Sequence, residues 1–578
     1  MEKKKLYELS LYIFRRDMRL VDNTALISAS KNSKNILPAF FFDQRQVDKS
    51  KNEYFSSNCV QFMCESLIGL DKDLKVKSSR LFMFYGDLYD NIEKLVKITK
   101  AQAIYLNEDY TPFSIARDKK IKEICESLKI DFHSNEDLML QNIKAVLPDK
   151  GIFFKVFTPY CNSAFLHKVR DVDSYEVTNF VASDYDISSH PKLLKENTFD
   201  GLLDKLNMKY NDGVEIKGGR NEGVKIINNL IPFKDYKNLR MFPKIPSTRL
   251  SAYLKFGCVS VREFYHALKN LFGPQHELIR QLHWRDYFMK VPYYWPYVIG
   301  GSFKPECDHI KWEAEEEHIQ AWKEGMTGFP IVDASMRCLN NTGYMHNKLR
   351  TVVCSFLVKD VLADWRIGEK YFANQLVDYD MSLNNGGWQW TASVGTDAQP
   401  EPRVYNPAMQ SEKLDPDCEF ILKWIPELND VKVPHIHNWE KFHYLYKNIV
   451  NYPAPIFSHH IQKEKALKMF ADCKFVNKIE KNKIYDNKEY SSYMYAGKSH
   501  GNNYGNFEKN NINDQNQGDK TAKSSNLGVN YDKTNNYKPK DKPKNQNEVN
   551  IMSMIHGGNK EQNKLKFDSN FSKKNFKG

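Results

Sequence analysis

The sequence predicts a doubly wound α/β domain, then an all-α domain and finally a disordered carboxy-terminal tail. Residues 7–135 alternate short apolar runs with amphipathic segments, whereas residues 206–465 repeat their apolar positions every three to four residues. Residues 476–578 show neither pattern. With 578 residues, the chain is long enough for two or three domains with sizeable cores.

Four apolar runs within residues 7–135 are typical of buried parallel strands. They are LSLYIF (9–14), ILPAFFF (36–42), RLFMFYG (80–86) and AIYLNE (103–108). Helical patterns such as VQFMCESLIGLDKDL lie between them, which predicts a parallel sheet covered by helices. No GxGxxG motif follows the first strand, so ordinary dinucleotide binding is not indicated there.

Residues 136–205 are polar and irregular, with FFKVFTPYCNSAF (153–165) as their one strongly patterned piece. We expect a packed connection between two domains here. From 206 to 465 the chain repeats at helical spacing, in segments such as VREFYHALKNLF, ELIRQLHWRDYFMKV and KLRTVVCSFLVKDVLADW. This region therefore predicts an all-α domain.

Residues 476–578 are rich in Asn, Lys and Gly and poor in apolar side chains. Such a segment buries too little apolar surface to offset its chain entropy, so we expect disorder. From residue 481 onward it carries 18 Lys, no Arg and 10 acidic residues, a balance of +8 within the net charge of +12. Nucleic-acid binding by the folded part must then rest on a local basic groove. The tail itself either has no role or binds nucleic acid or a partner.

Cysteine usage and the amino terminus restrict the compartment. The ten cysteines show no CxxC or ligand-like spacing, which argues against disulfides and against a metal site. The amino terminus has no apolar signal-peptide core, and no run approaches about 18 uncharged apolar residues. We expect a nuclear or cytosolic protein that is not secreted and does not contact membranes.

The most informative segment is DYDMSLNNGGWQWTASVGTDAQPEPRVYNPAMQ at 378–410. Its adjacent asparagines and Gly-Gly pair interrupt helices and let backbone approach a ligand closely. A lone WxW pair more often fills a core, but here carboxylates and asparagines flank it. The segment resembles the flavin-contacting loop of the photolyase/cryptochrome family, and RRDMRLVDNTAL (15–26) resembles the opening motif of that family's antenna domain. The resemblance extends over about residues 7–465 and is strongest to class I cyclobutane pyrimidine dimer photolyases.

The resemblance implies an FAD site in the helical domain. The segment STRLS resembles a hydroxyl-rich helix amino terminus suited to a pyrophosphate, although such a segment is more often an ordinary helix cap. Arg350 matches the family's arginine that pairs with an acidic residue beside the flavin. The implied FAD contacts are Tyr236, Ser247, Thr248, Arg249, Leu250, Ser251, Arg350, Asp378, Tyr379, Asp380 and Asn384.

Asn384 matches the family position that faces N5 of the flavin. Asn is the photolyase residue there, whereas plant cryptochromes have Asp and many insect cryptochromes have Cys. Because a neutral amide leaves a reduced, anionic flavin undisturbed, Asn384 favours repair over signalling. The resemblance also implies an electron relay through Trp312, Trp365 and Trp388, which the residue pattern alone would assign to the core.

On the substrate side, Trp284 and Trp390 match the two indoles that hold a flipped cyclobutane pyrimidine dimer by stacking. Photolyases for 6-4 photoproducts carry catalytic histidines at the positions of Asn347 and Thr351, so that reaction is not expected. The implied DNA contacts are Arg240, Gln281, Trp284, Asn347, Lys348 and Gln410.

Several residues depart from the dimer-repair pattern. Gln281 replaces a Glu that bonds the carbonyl groups of the dimer, and Thr351 replaces the usual active-site Met. An amide can donate to a thymine carbonyl but has no proton to give, so weaker repair is expected, by about 1–3 kcal/mol. Phe113 and Ser114 replace the pair that binds a folate antenna, which leaves a deazaflavin, a second flavin or no antenna open.

The resemblance implies a monomeric deoxyribodipyrimidine photo-lyase that acts on UV-damaged DNA and splits a flipped dimer by electron transfer from light-excited, reduced FAD. The implied catalytic residues are Gln281, Trp284, Asn384 and Trp390. The alternative is a cryptochrome-type blue-light photoreceptor that signals through the tail. The tail and Gln281 favour that alternative, whereas Asn384 and the two substrate tryptophans oppose it.

Overall fold

The computed structural model describes residues 5–195, 197–397, 399 and 401–484. Five parallel strands form one sheet in the order β3-β2-β1-β4-β5. The strands are β1 (Tyr7–Phe14), β2 (Ser33–Asp43), β3 (Phe82–Gly86), β4 (Ala103–Asn107) and β5 (Asp131–Asn135). The first four overlap the predicted apolar runs, which confirms the doubly wound α/β prediction. The last strand, DFHSN, is a half-exposed edge strand without an apolar run.

Helices cover this sheet, and the strand order reverses between β1 and β4. In doubly wound sheets the loops after two such strands diverge and leave a crevice at the carboxyl edge. The helices of this part are α1 (Thr24–Asn32), α2 (Gln44–Val47), α3 (Ser57–Val76), α4 (Leu88–Thr99), α5 (Pro112–Leu128), α6 (Phe157–Ala164) and α7 (Phe199–Lys205).

The segment between β5 and α7 lies against the sheet. Single bridges join Ile36 of β2 to Phe180 and Phe84 of β3 to Leu193. Val169 and Val177 also lie in the same apolar core as β1 and β2. The second half of this segment is therefore packed against the α/β part, whereas Phe153, Phe157 and Tyr160 in its first half share an apolar cluster with Tyr287 and Val291 of the helical region.

From residue 199 onward, every regular element among the described residues is helical, which confirms the predicted all-α region. These helices are α8 (Arg220–Asn228), α9 (Tyr236–Leu239), α10 (Ser251–Lys255), α11 (Val261–Phe272), α12 (Glu277–Tyr294), α13 (Glu316–Glu324), α14 (Pro330–Thr342), α15 (Asn347–Lys359), α16 (Trp365–Gln375), α17 (Met381–Ala392), α18 (Pro407–Leu414), α19 (Glu419–Trp424), α20 (Val433–His437), α21 (Trp439–Phe442) and α22 (His459–Ile484). Short 3-10 turns lie at Ile231–Phe233, Pro296–Val298, Pro305–His309, Pro426–Leu428 and His443–Tyr446.

The segment NNGGWQW lies inside α17, so the prediction that its asparagines and glycines interrupt a helix is wrong. Asp380 starts this helix by accepting hydrogen bonds from the backbone N–H groups of Ser382 (3.0 Å) and Leu383 (3.2 Å). A Cβ on Gly386 would lie 2.3 Å from the ring of Phe288 on α12. Tertiary packing therefore outweighs the low helix propensity of glycine here.

The last helix also corrects the predicted tail. The tail was predicted to begin at residue 476, but residues 476–484 belong to α22. The predicted boundary therefore lies too early in the chain. The remainder of the predicted tail, residues 485–578, lies outside the described residues. In the described part of the chain, no helix combines the length and apolar character needed to cross a bilayer.

Candidate functional site

Asn384 lies on α17 and is held by a buried carboxyl group. Its Nδ2 donates to the backbone oxygen of Glu369 (2.8 Å) and to Oε1 of the same residue (3.1 Å). Glu369 is 6% exposed, and burial raises its pKa to about 7, although Asn384 and Lys370 act in the opposite direction. The sequence did not indicate Glu369, because a single acidic residue in a helical segment has no distinguishing pattern.

Tyr344 connects the predicted phosphate segment with the residues around it. Its hydroxyl lies 3.1 Å from Oγ of Ser247, and the guanidinium of Arg249 lies 5.5 Å from its ring centre. Burial raises the pKa of Tyr236 to about 12, and Tyr344 is among the nearby groups that add to this rise. The structure therefore brings Ser247 and Arg249 together around Tyr344, a residue that the sequence did not indicate.

The ion pair predicted between Arg350 and an acidic residue is formed with Asp378. Nη2 of Arg350 lies 2.9 Å from Oδ2 and 3.1 Å from Oδ1 of Asp378. The guanidinium of Arg350 also lies 5.5 Å from the ring centre of Tyr344, on which Arg249 stacks as well. The pair Arg350–Asp378 is thereby joined to the phosphate segment through one aromatic ring.

The segment Ser247–Ser251 leads into a helix, but none of its hydroxyl groups caps that helix. Helix α10 begins at Ser251, its N-cap residue is Leu250, and no side chain caps it. Leu250 is buried in the core, whereas Ser251 is exposed. Oγ1 of Thr248 accepts a 3.5 Å hydrogen bond from the Leu250 N–H within its own turn. Any ligand contact of Leu250 would therefore have to use its backbone.

The carboxylate of Asp380 is engaged by other groups of the protein. Besides capping α17, it pairs with Arg16, which follows β1 and also lies 3.3 Å from Asp109 after β4. Burial alone would raise the pKa of Asp380, but the charges of Arg16, Lys255 and Arg285 outweigh it and lower that pKa. The motif RRDMRL thus connects the carboxyl edge of the sheet to the start of α17.

The residues around α17 fit a bound flavin. Apart from the adjoining backbone of α17 and the two flanking residues, no atom lies within 4 Å of the position that a Cβ on Gly387 would occupy, so this glycine faces open space. The neighbouring Tyr379 has a buried hydroxyl group without a hydrogen-bond partner among the described residues. Together with the amide of Asn384 and the pair Arg350–Asp378, these groups supply space, hydrogen-bonding capacity and charge for a polar planar ligand.

Two tryptophans of the predicted relay are buried and the third is half-buried. Trp388 is 3% exposed and packs against Phe372, with ring centres 5.0 Å apart. It also lies against Gly368 of α16, where a Cβ would be 2.1 Å from the indole. Trp365 starts the same helix and is 1% exposed, whereas Trp312 is half-buried.

The backbone brings Trp312 close to Trp365. The N–H of Glu313 donates to the carbonyl of Leu362 at 3.1 Å, so the chain next to Trp312 meets the chain three residues before Trp365. The ring of Trp312 packs edge-on against Phe470 of α22, with ring centres 6.4 Å apart. Trp388 and Trp365 belong to one apolar cluster of the helical region, and the half-buried Trp312 packs against the same cluster.

Trp284 and Trp390 form a right-angled pair at the surface of the helical region. Their ring centres lie 6.5 Å apart and their planes make an angle of 83°. Phe157 stacks on Trp284 at 3.6 Å and 11°, so one indole face is covered and fixed. The guanidinium of Arg403 lies 5.5 Å from the ring centre of Trp390. Phe157 lies in the patterned segment 153–165, but the sequence did not indicate a role for it.

Gln281 and Arg240, both predicted DNA contacts, share one carboxylate. Oε1 of Glu277 accepts from Nε2 of Gln281 at 2.7 Å and from Nη1 of Arg240 at 2.6 Å. Burial, together with the charges of Arg240 and Lys413, lowers the pKa of Lys348, while Glu277 opposes this effect. These residues consequently form one charged cluster, in which the sequence analysis missed Glu277 and Lys413.

Asn347 and Gln410 lie at the edge of this cluster. Asn347 is exposed at the start of α15, and Gln410 lies one turn before Lys413 on α18. His346 caps α15 through its Nδ1, which accepts from the Lys348 N–H at 3.3 Å, and burial lowers the pKa of His346 to about 4. The hydroxyl of Thr351 donates to the Lys348 carbonyl at 2.7 Å and is therefore bound within its own helix.

Known proteins resemble this chain over most of its length. A model described as DNA photolyase matches residues 10–174, and one described as FAD binding domain of DNA photolyase matches residues 278–472. A deoxyribodipyrimidine photo-lyase of Alkalihalophilus pseudofirmus is 34% identical over 476 residues, which span 79% of this chain and 96% of that protein. The chain belongs to the DNA photolyase family.

Solved photolyase structures agree with this assignment. An archaeal photolyase from Sulfolobus tokodaii, described with two FAD molecules, is 39% identical, has a TM-score of 0.70, and covers 80% of this chain and 100% of its own. A class III photolyase from Agrobacterium tumefaciens is 27% identical with a TM-score of 0.73, covering 82% of this chain and 99% of its own. The predicted family and fold are confirmed, and the photolyase FAD-domain match contains both surface tryptophans, the relay tryptophans and Asn384.

Proposed function

We propose that this chain is a deoxyribodipyrimidine photo-lyase, which uses light and FAD to split cyclobutane pyrimidine dimers in DNA. The observation that carries the proposal is the right-angled pair of Trp284 and Trp390 beside a basic cluster. Trp390 lies on the same helix as Asn384, so substrate and flavin positions are six residues apart on α17.

The two indoles would hold the flipped dimer. Stacking on an aromatic ring contributes about 1–3 kcal/mol per base, and Phe157 keeps the Trp284 ring in place for it. Gln281 lies one helical turn before Trp284 on α12, and its amide would bond the polar edge of the dimer. Arg240, Lys348 and Lys413 would contact the phosphates on either side.

The cofactor would lie along α17. Ser247, Tyr344 and the backbone of the Ser247–Ser251 segment would hold its phosphates, while Arg350, Asp378 and Asn384 would contact its ring. Reduced FAD held by these residues would supply, under light, the electron that splits the ring bonds of the dimer, with no net oxidation or reduction. Trp388, Trp365 and Trp312 would carry electrons inward from the surface and return the cofactor to its reduced form.

A second chromophore is part of this proposal. The crevice between β1 and β4 contains buried nitrogens, Nε of Arg15 and Nη2 of Arg117, without hydrogen-bond partners among the described residues. Arg45 stacks on Tyr89 at 4.8 Å and on Phe113 at 5.1 Å in the same region. Cationic and aromatic groups suit an anionic planar ligand, and the archaeal relative with two FAD molecules makes a second flavin the candidate. A Phe113→Ala variant should then lose one of two bound flavins.

Repair by the purified protein tests the main proposal. The reduced protein would be mixed with a dimer-containing oligonucleotide and exposed to blue light, and intact pyrimidines would be measured by chromatography. We expect repair that needs light and is absent in the dark control. A flavin-loaded, reduced protein that binds dimers but restores none would contradict the proposal and favour the photoreceptor alternative. Light scattering of the protein with and without DNA would test the expected monomer.

A further inference from the structure

Glu277 is the first residue of α12, and it is placed to act on Gln281. Its side chain is 14% exposed. One carboxylate oxygen, Oε1, lies 2.7 Å from Nε2 of Gln281 and 2.6 Å from Nη1 of Arg240. Acidic residues in the first turn of a helix generally stabilise it through the helix dipole. Stabilisation of the helix dipole does not require the two side-chain hydrogen bonds that Glu277 accepts. Both of these hydrogen bonds come from residues that are proposed to bind DNA, Gln281 and Arg240.

These bonds fix the amide of Gln281. A carboxylate has only acceptor atoms, and an amide has a donor end and an acceptor end. The NH2 end of Gln281 must therefore face Glu277, since a half-turn of the amide would bring its carbonyl oxygen against a carboxylate oxygen. The carbonyl oxygen and one N–H of Gln281 consequently remain available to another partner. Because the amide cannot turn over, the positions of this acceptor and this donor are fixed.

We propose that Glu277 is a positioning residue that makes Gln281 select dimers of imide bases, thymine or uracil, over dimers of cytosine. This inference rests on the proposed function. The imide edge presents an N–H between two carbonyl oxygens, so the amide oxygen of Gln281 can accept from N3–H while its N–H donates to a carbonyl. Cytosine held in the same pose presents an unprotonated N3 to that amide oxygen, and two acceptors then face each other.

The test uses binding in the dark, which needs no photochemistry. Fluorescence anisotropy would measure the affinity of the flavin-loaded protein for undamaged DNA, a thymine dimer and a freshly prepared cytosine dimer. We expect the thymine dimer to bind about ten-fold more tightly than the cytosine dimer, as one mismatched hydrogen-bonded pair implies. Complete deamination of the same cytosine oligonucleotide to uracil should then raise its affinity to that of the thymine dimer, because the imide edge appears without any other change.

Two variants separate positioning from general binding. In Glu277→Gln the side chain keeps its shape, but either end of the new amide can face Gln281. The amide of Gln281 then turns freely, and the preference for thymine over cytosine should collapse. Arg240→Ala is the matched control, because it removes the other partner of Glu277. This variant should weaken binding to every DNA alike and keep the wild-type preference.

The outcomes distinguish this inference from the function on which it rests. If the wild-type protein binds a thymine dimer no better than undamaged DNA, the proposed function is wrong. If it prefers thymine dimers to undamaged DNA but binds cytosine and uracil dimers equally, only the role of Glu277 is wrong. A Glu277→Gln variant that binds flavin normally and keeps the wild-type ratio would overturn the inference as well.

Discussion

Trp388 and Trp390 stand two residues apart on α17 and lie in opposite surroundings. Trp388 is 3% exposed and packs against Phe372, Trp322 and Gly368 in the core. Trp390 is half-buried and contacts Trp284 and Arg403 at the surface. Residues two apart on an α-helix point in nearly opposite directions, which separates the two indoles without any change of residue type.

The comparison shows how one helix can divide two tasks. The face of Trp388 continues toward the half-buried Asn384 and its buried partner Glu369, where charge is expensive to hold. The face of Trp390 lies against Arg403, whose side chain is 43% exposed and so remains accessible to a polyanion. Variants on each face should therefore affect different measurements.

The largest effect is expected on the core face. Trp388→Phe removes an oxidisable indole from the proposed relay while keeping an aromatic ring in the core. Photoreduction of the oxidised flavin should nearly disappear, as measured by the loss of its absorption band under illumination. Dimer repair by protein that was reduced chemically beforehand should stay close to that of the wild type. Undiminished photoreduction would mean that electrons reach the flavin by another route.

Trp390→Ala should produce the reverse result. It removes one stacking surface for the dimer, so the affinity for dimer-containing DNA should fall by about 1–3 kcal/mol. Photoreduction should be unchanged, because the buried face of α17 is intact. Anisotropy with damaged and undamaged oligonucleotides measures the first expectation, and illumination of the free protein measures the second. A loss of photoreduction in this variant would break the division between the two faces.

The fold was predictable where burial leaves a pattern in the sequence. Strands β1 to β4 are continuous apolar runs because both faces of a parallel sheet are covered, whereas the edge strand β5 is half-exposed and shows no such run. The pair Gly386-Gly387 was misinterpreted for a physical reason. Local propensity opposes a helix there, but the contact with Phe288 decides the outcome.

The site was predictable only in part. Family motifs indicated the tryptophans, Asn384 and the pair Arg350–Asp378, and the structure brings that pair together as predicted. They could not indicate Glu277, Glu369, Tyr344 or Phe157, because each acts through a contact within or between helices that a single sequence does not display.

Glu369 offers a test of the core face by pH. Its pKa rises from 4.5 to about 7 on folding, so between these values the folded state binds more protons than the unfolded state. Stability from this group therefore falls as pH rises through that window and stays low above it. Glu369→Gln removes this loss. The free energy of unfolding of the variant minus that of the wild type should therefore be larger at pH 8 than at pH 5, by roughly 2 kcal/mol. Urea unfolding at both pH values measures it, and a difference independent of pH would contradict the assignment.

Gln281→Glu tests the substrate face, and the structure reverses the expectation from sequence. Restoring the family's Glu should strengthen the contact with the dimer if position 281 is considered alone. However, Oε1 of Glu277 lies 2.7 Å from the amide nitrogen of Gln281, so a second carboxylate there would meet like charge. Dimer affinity of the single variant should fall by on the order of 1 kcal/mol. The double variant Glu277→Gln with Gln281→Glu should recover it, and a gain in the single variant would contradict the contact.

The smallest effect is expected from Lys413, which is exposed on α18 and contributes charge near Lys348. An exposed lysine that neutralises one phosphate releases about one counterion on binding. Lys413→Ala should therefore lower the affinity for damaged and undamaged DNA alike, by about 0.5–1 kcal/mol, and reduce the salt dependence of binding by about one ion. Lys72→Ala, which removes an exposed lysine on α3, is the matched control and should change neither quantity.

Because a phosphate contact carries no base information, the preference for dimers must survive in Lys413→Ala. If that preference were lost, Lys413 would belong to the dimer pocket, and α18 would contribute to the surface that contacts the dimer.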